Sequence, residues 1–301
     1  MKARAARPAA LPAPPGKAPA LPVHPEIRPG QSVALLQELH ILTRDGRMNQ
    51  DSRRKLKQVY HLYRFIEPLL QALQQERGTV RLVDHGAGKS YLGFILYDLF
   101  FRNLEPPGEV FGIERRDDLV ARSRELAARL RFPGMTFLNL SAADAVVSDA
   151  LPPAVDIVTA LHACDTATDD AIRFGLAKRA RNIVVVPCCQ AEVAGLLRRH
   201  KVDAIAAGPL AEIWRHPLHT REFGSQVTNV LRCLQLEAHG YQVAVTELVG
   251  WEHSMKNELI IATRRDLPGR RAADRLQAIL EALGLGELRS RFLGDGAAAP
   301  A

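Results

Sequence analysis

The sequence predicts an α/β protein built on a doubly wound, mostly parallel seven-stranded sheet of Rossmann-like type, preceded by an N-terminal helical segment. Three observations carry that prediction. Short apolar runs rich in β-branched residues recur along the chain, such as Ala154–Leu161 and Asn182–Val186, and their near-continuous hydrophobicity suits strands buried on both faces. Stretches of helical periodicity separate them, as at Asp117–Leu130 and Thr168–Lys178. Finally, the apolar run from Val80 ends in Asp84, is followed by Gly86 and Gly88, and passes into a helical pattern from Tyr91 to Phe101. That is the strand, tight turn and helix N-terminus at which open α/β sheets bind their ligands.

In chain order, residues 1 to about 26 are rich in Ala and Pro and have no acid before Glu26. Their prolines break any apolar core of a secretory signal and oppose an amphipathic transit helix, so a disordered tail is expected. Residues 27–77 read as a helical, basic segment. Val33, Leu35, Leu36 and Leu39 lead into a turn at Gly46, and Leu56, Val59, Tyr60, Leu62, Tyr63, Ile66 and Leu69 come next at helical spacing. The sheet domain is expected over 78–266. Its strands fall at Val80–Asp84, Val110–Glu114, Met135–Leu140, Ala154–Leu161 and Asn182–Val186, with a closing antiparallel pair at Tyr241–Val249 and Glu258–Arg264. One or two terminal helices are expected over 267–293, and a frayed end over 294–301.

The glycine turn discriminates among ligands. Gly88-Lys89-Ser90 imitates a P-loop, but the glycine required five positions before Gly88 is Val83. A dinucleotide fingerprint wants a third glycine at Tyr91, and Asp84 beside a pyrophosphate would repel it. A carboxylate two residues before the first glycine suits a cationic ligand. S-adenosylmethionine offers an ammonium to Asp84 and a carboxylate to the N–H groups of the turn at Gly86 and Gly88. Glu114, at the end of the second strand, is placed to accept ribose hydroxyls. Asp144, after the third, is placed to take the adenine amino group. Each acid alone reads as a helix cap or turn residue; three at successive strand ends favour S-adenosylmethionine as cofactor.

A net charge of +7 and a pI near 9.5 favour an anionic partner. The four cysteines, Cys164, Cys188, Cys189 and Cys233, make no secreted disulfide framework, so a reducing cytoplasm is the expected compartment. No apolar stretch approaches the length needed to cross a bilayer, roughly 20 residues.

On the acceptor side, the fourth strand runs into His162-Ala163-Cys164-Asp165 and the fifth into Pro187-Cys188-Cys189-Gln190, so the two ends should converge on one crevice. Thr166 or Thr168 is expected to cap the next helix. His162 and Asp165 form a candidate acid/base pair. Three readings of the cysteines stay open: packing, a Cys188 thiolate nucleophile, or a zinc site with His162 and Cys164, for which the spacing is poor. The Asp/Asn-Pro-Pro-aromatic signature of exocyclic-amine methylation is absent after the fourth strand. Upstream, Arg53-Arg54-Lys55-Leu56-Lys57 is either a solvated helix face or a phosphate-gripping one.

Taken together, Asp84-His85-Gly86-Ala87-Gly88-Lys89, Leu161-His162-Ala163-Cys164-Asp165, Pro187-Cys188-Cys189 and Glu252-His253-Ser254-Met255-Lys256-Asn257 resemble one group of class I methyltransferases. The group includes the glutathione S-transferase C-terminal-domain-containing protein, related methyltransferase-like proteins and, more distantly, the acceptor-stem tRNA 2′-O-methyltransferase. The stretch from Arg53 to His61 is similar to the basic segment that precedes the fold in the methyltransferase-like members. The resemblance spans roughly Asp51 to Arg264. It departs at Ser90, where many class I enzymes have a third glycine, and it lacks the Cys/His finger elements of the tRNA enzyme. It implies methyl transfer from S-adenosylmethionine to RNA (tRNA or rRNA), with no membrane partner. His162, Asp165 and Cys188 would then face the acceptor, and Arg53, Arg54, Lys55, Lys57, His253 and Lys256 would bind it. The alternatives are a protein or small-molecule methyltransferase, or a non-catalytic RNA-binding relative.

Overall fold

The computed structural model describes residues 25–161, 163, 165–187, 190–200, 209–248 and 258–294. Seven strands form one sheet in the order β3-β2-β1-β4-β5-β7-β6. They are β1 (Arg81–His85), β2 (Glu109–Glu114), β3 (Met135–Asn139), β4 (Ile157–Leu161), β5 (Asn182–Val186), β6 (Tyr241–Glu247) and β7 (Glu258–Arg264). The first five are mutually parallel, and β7 inserts antiparallel between β5 and the edge strand β6. The order reverses at β1, whose neighbours are β2 and β4. The crevice beyond the C-terminal ends of β1 and β4 is therefore the topological switch point, where such sheets bind ligands.

Alternation along the strands builds two cores. Leu82, Val110, Ile157, Val184 and Leu259 point to one face, where they meet the helices α1 (Val33–Glu38), α2 (Gln50–Arg77), α3 (Tyr91–Leu99) and α4 (Asp117–Leu130). Val83, Phe111, Val158, Ile183 and Ile260 point to the other, against α5 (Ala142–Val147) and α6 (Thr166–Ala177). A third cluster joins α7 (Glu192–His200), α8 (Pro217–Ala238), α9 (Arg270–Ala282) and α10 (Arg289–Leu293). The two terminal helices, α9 and α10, are held in this cluster by Ala272, Leu276, Leu280 and Phe292. The N-terminal helical pattern resolves into the short α1 and the long α2, joined by a loop through Gly46.

Among the described helices without a counterpart in the sequence pattern, α8 is the longest. α8 runs for 22 residues through a stretch without a legible apolar stripe, because its buried face carries Thr220, Thr228, Asn229, Arg232 and Gln235 beside Leu231 and Leu234. A polar buried face hides the 3.6-residue period on which helix detection rests.

α2 is longer than the sheet it packs against. Its C-terminal Arg77 pairs with Asp156, which also accepts the Arg81 N–H, so that end lies at the N-terminal edge of β1 and β4. At 1.5 Å per residue its 28 residues span about 42 Å, against about 17 Å for a five-residue strand. The helix runs antiparallel to the strands it precedes. Its N-terminal end reaches the opposite, C-terminal edge of the sheet, where Ser52 donates to the His40 carbonyl and Tyr91, at the start of α3, to the Leu39 carbonyl.

Candidate cofactor and acceptor site

The turn after β1 is built from backbone conformations that need glycine. Gly86 has φ +70° and Gly88 φ +57°, both in the left-handed region. Ser90, the departure from the third glycine, adopts the same region at φ 51°, ψ 35° and is the N-cap residue of α3. Room for its side chain comes from Gly93 one turn later, where an added Cβ would stand 2.5 Å from Ser90 Oγ and 3.5 Å from an Asp84 oxygen. A small residue has moved from the turn into the helix beyond it.

Asp84 and His85 point to opposite faces of the sheet, as successive strand residues must. Asp84 is 3% exposed; its Oδ1 accepts the Thr159 hydroxyl from β4 at 2.9 Å, and it also accepts the Gly93 N–H. Burial pushes its carboxyl up to about 7, against the pull of those hydrogen bonds toward the charged form. Among the described residues no cation takes part in setting that value, so Asp84 is a buried acid that a positive ligand charge would stabilise as its carboxylate. His85 is 5% exposed, rests against the Phe174 ring, and has no hydrogen-bond partner on either nitrogen among the described residues. Burial lowers it to about 4, opposed weakly by Asp170.

Glu114 closes the turn from β2. One oxygen accepts the Gly88 N–H at 2.8 Å, and the other accepts the Arg116 N–H and Nε at 3.0 and 3.1 Å. Burial alone would raise its carboxyl, but these donors hold it below the ordinary carboxylate value. A carboxylate has about four acceptor positions, and the Arg116 side chain is 64% exposed, so ribose hydroxyls can share or displace that contact cheaply. Asp144 is exposed and forms the first turn of α5, with the Ser141 hydroxyl 2.6 Å from its carboxylate. The N-cap itself is Ser141, whose hydroxyl accepts the Asp144 N–H at 3.2 Å, so Asp144 belongs to the first turn of the helix that follows β3.

On the acceptor side, His162, Cys164, Cys188, Cys189, His253 and Lys256 lie outside the described residues. Asp165 is described and has an unusual backbone, φ 50°, ψ −122°, in a region that side chains rarely adopt. Its carboxylate accepts the Ala191 N–H at 3.3 Å, which bridges the segments leaving β4 and β5 and brings the two together. Ala163 borders the cofactor turn, its Cβ 3.8 Å from a Cβ built on Gly86. The capping expectation needs correction. α6 begins at Thr166, its N-cap is Asp165 without a side-chain cap bond, and the Thr168 hydroxyl donates to the Ala163 carbonyl at 2.5 Å. The strained Asp165 turn starts the helix two residues early and leaves Thr168 buried.

The basic cluster also divides differently than a linear reading suggests. Arg53 turns back to an ion pair with Glu26 at 2.7 Å, and Arg54 lies 3.7 Å from Asp51. Leu56, Val59 and Tyr63 are core, while Tyr60 is half-buried with its hydroxyl on Gln31. Arg54, Lys57, His61 and Arg64 share one face at helical spacing, with Lys55 beside it; all are exposed except His61, which is half-buried against Phe65. His61 and Arg64 extend the stripe. A linear search misses them because it counts neighbours along the chain rather than around the helix. Among the described residues, no group of three or more His, Cys, Asp or Glu side chains could hold a metal ion. No described helix is long and apolar enough to cross a membrane.

No curated protein sequence matches the chain. Similar solved structures include precorrin-6y C5,15-methyltransferase from Geobacter metallireducens, 18% identical over 62% of this chain and 80% of that one, with a TM-score of 0.37. Magnesium protoporphyrin IX methyltransferase from Synechocystis with bound SAH is 14% identical over 76% of this chain and 92% of that one, TM-score 0.42. Fibrillarin from Aeropyrum pernix in complex with S-adenosyl-L-methionine is 13% identical over 61% and 66%, TM-score 0.39. Residues 54–195, from the basic face of α2 through the glycine turn to α7, match the family model of a methyltransferase domain. Carrying that domain on a sheet of order β3-β2-β1-β4-β5-β7-β6, the chain is an S-adenosylmethionine-dependent methyltransferase with the class I fold.

Proposed function

We propose that this enzyme methylates RNA, tRNA or rRNA, within the group of methyltransferase-like proteins its motifs resemble. The observation that carries the reading is the exposed stripe of Arg54, Lys57 and Arg64, with His61 among them, on the half of α2 that lies toward the C-terminal edge of the sheet. Cations spaced along one helix face beside a ligand crevice suit a phosphodiester backbone that must lie across it. A small-molecule acceptor would have no use for them.

In this reading Asp84, Gly86, Gly88, Glu114 and Asp144 hold the cofactor, whose sulfonium supplies the methyl group when bound. The fit rests on this chain's own chemistry: Asp84 is a buried acid with no counter-charge among the described residues, and two left-handed glycines bare the turn's backbone. The negative charge of Asp84, in low dielectric, favours the cofactor's ammonium. Glu114 fixes the Gly88 N–H and offers its remaining lone pairs to the ribose. Asp165 lies where the segments leaving β4 and β5 meet, and with His162 it is assigned the proton of the acceptor. Cys188 is assigned to the acceptor face, and His253 and Lys256 to its grip. A reducing, cytoplasmic setting accords with the same reading.

Mass spectrometry of RNA nucleosides from cells lacking the protein tests it. One modified nucleoside should disappear and return on complementation. If every RNA modification is unchanged while a methylated protein or metabolite disappears, the acceptor is not RNA.

A further inference from the structure

Arg232, on α8, is the largest fully buried side chain among the described residues, 0% exposed, yet it lies in no part of the cofactor site. Its Nε donates to Asp169 Oδ1 at 2.6 Å, Nη1 to Asn229 Oδ1 at 3.1 Å and Nη2 to the Asp165 carbonyl at 2.8 Å. Asn229 also accepts from Gln190 Nε2 at 3.0 Å and donates to Glu258 Oε2 at 2.6 Å. Ser225 donates to Gln190 Oε1 at 2.5 Å. Arg291 adds a second cation, paired with Glu192 and 3.7 Å from Asp169.

Three segments at this edge of the sheet are thereby fastened to one helix: the turn after β4 through Asp165, the segment after β5 through Gln190, and the start of β7 through Glu258. Stability alone does not call for such a hub, since well-packed apolar residues generally do as well as a buried ion pair. What an apolar side chain cannot do is hold a carbonyl, a carboxylate and an amide at fixed angles at once, which the planar fork of arginine does. The carbonyl it holds belongs to Asp165, whose backbone is in a region that persists only when its surroundings over-determine it. Asp165 in turn binds the Ala191 N–H, and Ala163, two residues earlier, adjoins the cofactor turn.

We propose that Arg232 is a positioning residue for methyl transfer, holding Asp165 and Gln190 in register with the Gly86 turn. It touches neither cofactor nor acceptor. Its substitution should leave cofactor binding intact and loosen the acceptor side alone.

The test combines hydrogen exchange with turnover in the full-length chain, using Arg232→Lys, which keeps the charge and loses the fork, and Ser225→Ala, which removes one hydroxyl. Total cellular RNA and labelled S-adenosylmethionine serve as probes, the choice of RNA resting on the function proposed for the enzyme. For Arg232→Lys, S-adenosylhomocysteine affinity should stay within about twofold. Exchange at the amides of Asp165, Thr166, Gln190 and Ala191 should rise while those of β4 and β5 stay protected. Turnover should fall roughly 10- to 100-fold at unchanged KM for the methyl donor. Ser225→Ala, which is the milder change should Arg232→Lys fail to fold, should loosen Gln190 and Ala191 but not Asp165. Unchanged exchange at these amides, or a loss of protection spread evenly over the sheet, overturns the proposal. Failure of the wild type to methylate RNA counts against the RNA reading alone, and the exchange arm then decides.

Discussion

At the scale of single residues, the switch point is a place where burial works against charge. Asp84 is raised from 3.8 to about 7, so the folded chain holds this proton more tightly than the unfolded one. Its contribution to stability is complete below pH 3.8 and is lost as pH rises through 7. His85 acts in the opposite sense: lowered from 6.5 to about 4, it contributes stability above pH 6.5 that is lost as pH falls through 4. The two offset each other between about pH 4 and 6.5, so the wild type should show a flat stability profile there. Asp84→Asn should instead gain stability with rising pH across that window, and His85→Leu should lose it, as read by urea midpoints. A matching profile in all three proteins would mean that neither group titrates in the window. In the proposed reading the same buried acid faces the cofactor's ammonium. S-adenosylhomocysteine should bind the wild type more tightly as pH rises through about 7, and Asp84→Asn should lose about 1.5–3 kcal/mol and that pH dependence. Calorimetry at three pH values decides it. Gly93→Ala should destabilise by about 1–3 kcal/mol, because its Cβ would stand 2.5 Å from the buried Ser90 Oγ, and an unchanged melting point would mean the turn has slack.

At the scale of elements, α2 and α8 show what a sequence displays and what it conceals. The buried positions of α2 include Leu56, Val59, Leu62, Ile66, Leu70 and Leu73, an apolar stripe that announces the helix outright. The division of its cations is not visible in the sequence, since only the helical turn separates Arg53, folded back to Glu26, from Lys57 and Arg64, which face solvent. α8 is hidden for the converse reason, being polar where it is buried. The glycine turn and the strand-end acids Asp84 and Glu114 are legible because φ > 0 and strand-end carboxylates are written into residue type. The anchoring of Asp84 by Thr159, or of Glu114 by Gly88, depends on which strands are neighbours. For α2 the expected outcome is electrostatic. Lys57→Glu with Arg64→Glu should weaken RNA binding and lower the log–log salt slope by roughly 0.7–0.9 for each phosphate ion pair removed. Cofactor affinity should not move, and an unaltered slope would make the stripe a solvated face.

At the scale of the molecule, strand alternation and the reversal at β1 bring the glycine turn, the acids of β1 and β2 and the end of β4 to one edge of the sheet. The order of apolar runs is enough to predict that much. The position of β7 between β5 and β6 is not predicted by it, because pairing order in a closing antiparallel pair is not encoded in either strand alone. α2 carries exposed Arg54, Lys57 and Arg64 on the half that lies toward the same edge, and α8 ties together the segments around Asp165, Gln190 and Glu258. The most direct test is transfer of labelled methyl from S-adenosylmethionine by purified enzyme to total cellular material. RNA methylation predicts label in a fraction sensitive to ribonuclease, abolished by saturating S-adenosylhomocysteine and reduced in Lys57→Glu with Arg64→Glu. Label that survives ribonuclease and is released by protease, or that passes into the small-molecule fraction, would contradict it.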